Sequence, residues 1–128
     1  VYIDDYAHHP TEINAVHQSV RELYPGQKVL AIFQPHLYSR TQDFAHEFAA
    51  SLSLFDTLFL LDIYPARELP IAGVTSDWLL GMISSKKKSK ATVAEVLKSL
   101  KENPPEVLVS LGAGDIGKQV VHFKEALL

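Results

Sequence analysis

A mostly parallel sheet with helices on both faces is the α/β architecture this sequence predicts, on three observations. Strand-like and helical patterns alternate from end to end. Two apolar runs, Val29–Phe33 and Val107–Leu111, are nearly continuous, as strands covered on both faces are. No Gly-, Ser- or Pro-rich linker divides the 128 residues, so one domain is expected.

The elements follow in order. Tyr2-Ile3-Asp4 ends a short strand. Pro10 suits the first turn of a helix, where its missing N–H costs nothing, and Ile13, Val16, Val20 and Leu23 then share a face until Pro25-Gly26 stops it. After the strand Val29–Phe33, a second helix is expected with Phe44, Phe48, Leu52 and Phe55 on one side. Leu58–Leu61 is the third strand. Thr75 or Ser76 caps a helix containing Trp78, Leu79 and Met82, and the run Lys86-Lys87-Lys88-Ser89-Lys90 leads into a weakly signalled strand around Ala91. Thr92 and Glu95 have capping-box spacing ahead of the stripe Val93, Val96, Leu97 and Leu100. Asn103-Pro104-Pro105 breaks the chain before Val107–Leu111, and a last helix runs from about Asp115 to the end.

Composition narrows the function. At 47% hydrophobic and 21% charged the chain is neither disordered nor collagen-like. A net charge of −3 gives no reason to expect nucleic acid or an anionic membrane as partner. With no cysteine, disulfides, thiolate metal sites and cysteine nucleophiles are excluded, which is consistent with the cytoplasm. The apolar stretch Ala49–Leu61 is interrupted by Asp56 and is too short to span a bilayer. The chain opens inside a strand, without a signal-peptide pattern or an initiator methionine, so a domain cut from a longer protein is expected.

In open α/β sheets the ligand lies beyond the carboxyl ends of the strands. There this sequence places Asp4-Asp5-Tyr6-Ala7-His8-His9, Gln34 to Thr41, Asp62 to Glu68, and Gly112-Ala113-Gly114-Asp115. These segments hold three of the six histidines, His8, His9 and His36, and two of the three arginines, Arg40 and Arg67. Solvated loops favour Lys, Glu and Ser, so the enrichment points to a site. Guanidinium grips carboxylate or phosphate in a bidentate way, which makes Arg40 and Arg67 anion candidates; a surface ion pair is the competing use of each. Asp4 and Asp5 alternate across the strand, so one faces the crevice, where it suits a ribose diol, and the other holds the loop. Tyr6 either stacks on a base or sits at the boundary of the core. Adjacent histidines rarely reach one ion together, and no H-x-H or H-x-x-x-H spacing occurs, so no dedicated metal site is expected. Gly112-x-Gly114-x-x-Gly117 lacks the following strand of a dinucleotide fingerprint, and Gln119 stands where a P-loop needs a hydroxyl. A tight turn is the first use of Gly112 and Gly114, and an anion-facing backbone the second.

Together these segments resemble the C-terminal domain of the Mur ligases of peptidoglycan synthesis. Asp4 to Glu12, Phe33 to Thr41, Ile63 to Glu68 and Gly112 to Ile116 match that family's motifs in order, over essentially the whole chain. The resemblance implies a Rossmann-like domain, residues 1–128, of a three-domain ATP-dependent ligase whose UDP-sugar-binding and ATP-binding domains lie outside it. It implies ATP and Mg²⁺ in the complete enzyme, with most Mg²⁺ ligands elsewhere, and an acyl phosphate of UDP-N-acetylmuramate attacked by L-alanine. By position, Asp5 would bind the ATP ribose and Tyr6 would lie near the adenine or acceptor. His8 and Arg40 would hold the amino-acid carboxylate or the phosphate, in a region shared with His9, His36 and Arg67. Leu37 occupies a place where the family often has a second arginine. The isolated domain is expected to be inactive. Two other readings stay open: a murein-tripeptide recycling ligase, which differs in the second loop, and a phosphoacceptor receiver module, imitated by the paired aspartates and Asp62.

Overall fold

The computed structural model describes residues 1–128 and holds five parallel strands: β1 (Tyr2–Asp5), β2 (Val29–Phe33), β3 (Thr57–Leu60), β4 (Lys87–Lys90) and β5 (Val107–Leu111). Their order is β1-β5-β2-β3-β4. The helices are α1 (Pro10–Leu23), α2 (Tyr38–Asp43), α3 (Ala45–Leu52), α4 (Ser76–Leu80), α5 (Val93–Glu102) and α6 (Val120–Ala126). A receiver sheet has its first strand between the second and third; here β5 stands between β1 and β2, which removes the receiver reading.

The strand sequences explain the two layers. In β2 every side chain is buried: Val29, Ala31 and Phe33 join the cluster under α1, α3 and α4, while Leu30 and Ile32 join the one under α5 and α6. Strand β5 repeats this with Val107, Val109 and Leu111 on the first face and Leu108 on the second. Right-handed crossovers stepping from β1 through β4 put α1 to α4 on one face, and the return to β5 puts α5 on the other.

Three expectations need correction. The second helix is two, because Phe44 (φ −116°, ψ 23°) caps the end of α2 and the start of α3. Phe48 and Leu52 keep the predicted stripe on α3, but Phe44 is 36% exposed and Phe55 is buried from the turn that follows. The fourth strand is the lysine run itself, with Ala91 adding only an N–H to Leu60 O at 3.0 Å. An exposed edge strand has no apolar alternation to read, and lysine is a common guard of such edges. The last helix opens as a 3-10 turn over Asp115–Gln119 and becomes α only at Val120.

The caps are as the spacing suggested. Thr92 and Glu95 form a complete capping box on α5. Thr75 accepts Trp78 N at 3.1 Å, whereas the buried Ser76 hydroxyl donates to Leu61 O at 2.6 Å and ties α4 to the end of β3.

Candidate functional site

The sheet's backbone ladder runs past the strand ends and fixes the loops above it. Gly112 N donates to Asp5 O and Gln34 N to Leu111 O, each at 3.2 Å, so the loops after β1, β5 and β2 leave side by side. The chain departs from β1 and β2 toward one face and from β5 toward the other, so a crevice opens on each side of β5.

His36 and Arg40 meet in this region, with Arg40 Nη1 3.1 Å from His36 Nδ1. A guanidinium only donates, so Nδ1 is the unprotonated nitrogen and the ring proton sits on Nε2. Burial holds this imidazole below its ordinary pKa, helped by the charge of Arg40 and by His8 against the opposing pull of Glu68. The pair therefore presents donors alone, the Nε2–H and the remaining guanidinium N–H groups. Arg40 has no carboxylate within ion-pair distance, unlike Arg21, which is spent on Asp56, His17 and the carbonyls of Gln27 and Leu54.

His8 has the opposite polarity. Its Nδ1 donates to Tyr6 O at 2.9 Å, which leaves Nε2 as an acceptor in the neutral ring. Glu12 lies 3.6 Å from Nδ1 and accepts His8 N at 3.2 Å. The His8 and His36 rings stand edge to face, 6.0 Å apart. An all-donor grip thus lies beside a single acceptor, an arrangement that can hold a carboxylate or phosphoryl group next to a group losing a proton.

The two aspartates take different partners. Asp5 Oδ1 accepts Ala7 N at 2.9 Å and shapes the loop, while Asp4 Oδ1 accepts the Ser110 hydroxyl at 2.7 Å. Ser110, fully buried, in turn accepts from Tyr2 at 2.6 Å, and burial pushes the Tyr2 phenol up to about 12. Each carboxylate keeps its second oxygen free of partners. Tyr6 is 74% exposed, which makes it a free ring face rather than a core residue. His9 accepts Thr11 N at 3.4 Å as the cap of α1 and packs on Phe44 at 4.8 Å, so helix entry is its observed task. Arg67 is exposed without a hydrogen bond or ion pair.

The glycine turn serves packing. Gly112 has φ +145°, and a Cβ there would meet Ile116 Cγ2 at 2.9 Å and Gln34 O at 3.1 Å. At Gly114 a Cβ would lie 2.6–2.8 Å from Cγ, Cδ1 and Cβ of Tyr64, while Gly117 has open space. Three residues the sequence reading left without a role prove to organise these loops. Gln34 Oε1 accepts Ile116 N at 2.9 Å and joins the β2 and β5 loops. Glu68 accepts the backbone N–H of Ser39 at 3.1 Å and its hydroxyl, supplying from the β3 loop the cap that α2 lacks at Leu37. These bonds hold the Glu68 carboxyl below its ordinary range. Tyr64 stacks on His36. The available signal was a polar or aromatic residue at the end of an apolar strand; its partner, distant in sequence, had none.

A groove of about 710 Å³ lies at the opposite, amino edge of the sheet, lined by Lys28, Lys86, Lys87 and Lys88 and by Pro104 and Pro105, with no histidine or arginine. At the carboxyl edge a hollow of about 280 Å³ lies among Gln34, Asp62, Thr92 and Asp115. No three His, Asp or Glu side chains converge where a metal ion could sit. No helix is long and apolar enough to cross a membrane.

A family model described as Mur ligase, glutamate ligase domain, matches residues 1–116. A UDP-N-acetylmuramate–L-alanine ligase of Flavobacterium psychrophilum is 63% identical over 127 residues, 99% of this chain and 28% of that protein. One of the same name from Porphyromonas gingivalis is 52% identical over 128 residues, again 28% of its length. The chain thus spans about 28% of these relatives. Among solved structures, a murein peptide ligase from Psychrobacter arcticus superposes with a TM-score of 0.71 at 21% identity, over 98% of this chain and 27% of that one, and shows the shared fold.

Proposed function

The chain belongs to the Mur ligase family, and on that footing we propose that it is the C-terminal domain of an ATP-dependent ligase joining L-alanine to UDP-N-acetylmuramate in peptidoglycan synthesis, in the cytoplasm. The observation that carries the reading is the His36–Arg40 donor face beside the His8 acceptor at the carboxyl edge of the sheet. An amino acid offers a carboxylate and an amine, and this pairing suits both.

The γ-phosphoryl group of ATP passes to the muramoyl carboxylate, giving an acyl phosphate and ADP. The L-alanine amine then attacks the acyl carbon, the bond from carbon to the phosphate oxygen breaks, inorganic phosphate leaves, and the amine loses a proton. Arg40 and the Nε2–H of His36 hold the alanine carboxylate, which fixes the amine's direction of approach. His8 Nε2 is the acceptor beside the amine. The free oxygen of Asp5 takes the ribose and the exposed Tyr6 ring the adenine, while Arg67 is available to an anion in place of the arginine that Leu37 replaces. His9 and the turn at Gly112 and Gly114 hold these loops in register. Mg²⁺, held mostly by ligands of the polypeptide outside these 128 residues, would neutralise charge on the transferring phosphates.

The test uses the complete polypeptide with UDP-N-acetylmuramate, Mg²⁺ and ATP. Phosphate release should depend on L-alanine, and the 128-residue chain alone should release none. Release dependent on a murein tripeptide instead would overturn the acceptor, and release with neither would overturn the reaction.

A further inference from the structure

We infer that Tyr64 is a positioning residue for the His36–Arg40 pair, seated by Gly114, so that a contact among three loops sets the grip on the acceptor. The inference rests on the reading of that pair as the carboxylate site.

Tyr64 reaches His36 twice. Their backbones form an isolated parallel bridge beyond the ends of β2 and β3, with Leu37 N donating to Tyr64 O and Tyr64 N to Pro35 O, both at 2.8 Å. Their rings lie nearly parallel, 13° apart in plane, with centroids at 5.5 Å. The backbone of Gly114 lies against Tyr64, so near that a Cβ there would meet Cγ, Cδ1 and Cβ at 2.6–2.8 Å, and this close approach demands glycine. The loops after β2, β3 and β5 therefore meet at Tyr64, between Gly114 and His36 in the chain of contacts.

Strain marks both sides of the bridge. Leu37 has φ +70° and Ala66 φ +52°, values that non-glycine residues adopt only when their surroundings hold them. At Leu37 the holding groups are Tyr64 O and Thr41, whose N–H and hydroxyl both donate to Leu37 O, at 3.1 and 2.8 Å. The phenol of Tyr64 has no partner in the chain, so its ring face, not its hydroxyl, supports His36. Without that face the imidazole can rotate, and Arg40 loses the one acceptor that aims it.

The complete polypeptide tests this with a double-mutant cycle. Tyr64→Ala should raise KM for L-alanine about tenfold while KM for ATP stays within about twofold, and Tyr64→Phe should restore both. Gly114→Ala should also raise KM for L-alanine, but in the Tyr64→Ala background it should add a smaller further increase, because of the three close contacts only the one with the retained Cβ, at 2.8 Å, is left. Equal losses from Gly114→Ala in both backgrounds, or an unchanged KM for L-alanine in a folded Tyr64→Ala protein, would overturn the inference. Histidine-selective nitrogen NMR separates this failure from failure of the L-alanine reading. A wild-type protein inactive with L-alanine still shows whether His36 Nδ1 loses its Arg40 bond in Tyr64→Ala, and retention of that bond would also overturn the inference.

Discussion

Replacing Arg40 with alanine in the complete polypeptide should lower kcat/KM for L-alanine by about 100-fold while the domain stays folded. Loss of a charged hydrogen-bonding partner from a ligand carboxylate costs about 2–4 kcal/mol, and each ~1.4 kcal/mol is tenfold. Nothing structural offsets this, because the only hydrogen-bond partner of the Arg40 side chain is His36 and no carboxylate is left orphaned by its removal. Arg40→Lys should recover little, since an ammonium lacks the planar fork. Acid should imitate the substitution. Once His36 takes a proton, Nδ1–H faces Arg40 N–H, donor against donor, and the pair separates. Burial and the Arg40 charge lower the pKa of this ring, so the His36 nitrogens should titrate below the usual histidine range in histidine-selective NMR, read against wild-type melting. Titration of His36 at or above that range, or an Arg40→Ala loss under about threefold, would contradict the assignment.

The second large effect is on stability. Phe48→Ala should cost about 3–5 kcal/mol, the range for a fully buried phenylalanine. Its ring is inaccessible and lies 5.6 Å from that of Phe33, the residue that ends β2 and delivers Gln34, Pro35 and His36 to the crevice. For a chain of this length a loss of that size lowers Tm by roughly 10–20 °C. Phe44→Ala, at a position 36% exposed, should cost about 1–2 kcal/mol by transfer of the smaller area it buries. Parallel thermal melts check both. Equal shifts would mean that the break at Phe44 matters to the fold as much as the core does.

The contrast between the two phenylalanines shows where the sequence was readable. Both fit a helical stripe, and the period could not show that the chain turns between them. Strands β2 and β5 were legible because burial on both faces demands apolar residues at every position. Strand β4 was not, since an edge strand facing water answers to backbone pairing alone. The site was legible as a set of loops, because the fold gathers strand ends and His, Tyr and Arg are unusual occupants of solvated turns. Individual tasks were less so. His9 and His36 look alike in sequence, yet one caps a helix and the other aims an arginine. The contact between Gly114 and Tyr64 joins residues far apart in the chain, and a lone glycine in a turn does not reveal what packs against it.

The most direct test of the carboxyl-edge site is a comparison of L-alanine with L-alaninamide in wild-type and Arg40→Ala forms of the complete polypeptide. If His36 and Arg40 hold the acceptor carboxylate, the amide should be about 100-fold poorer with wild-type, while Arg40→Ala should cost it less than about threefold more. Fully additive losses would place Arg40 on another group, the transferring phosphate first among them, and would contradict the account.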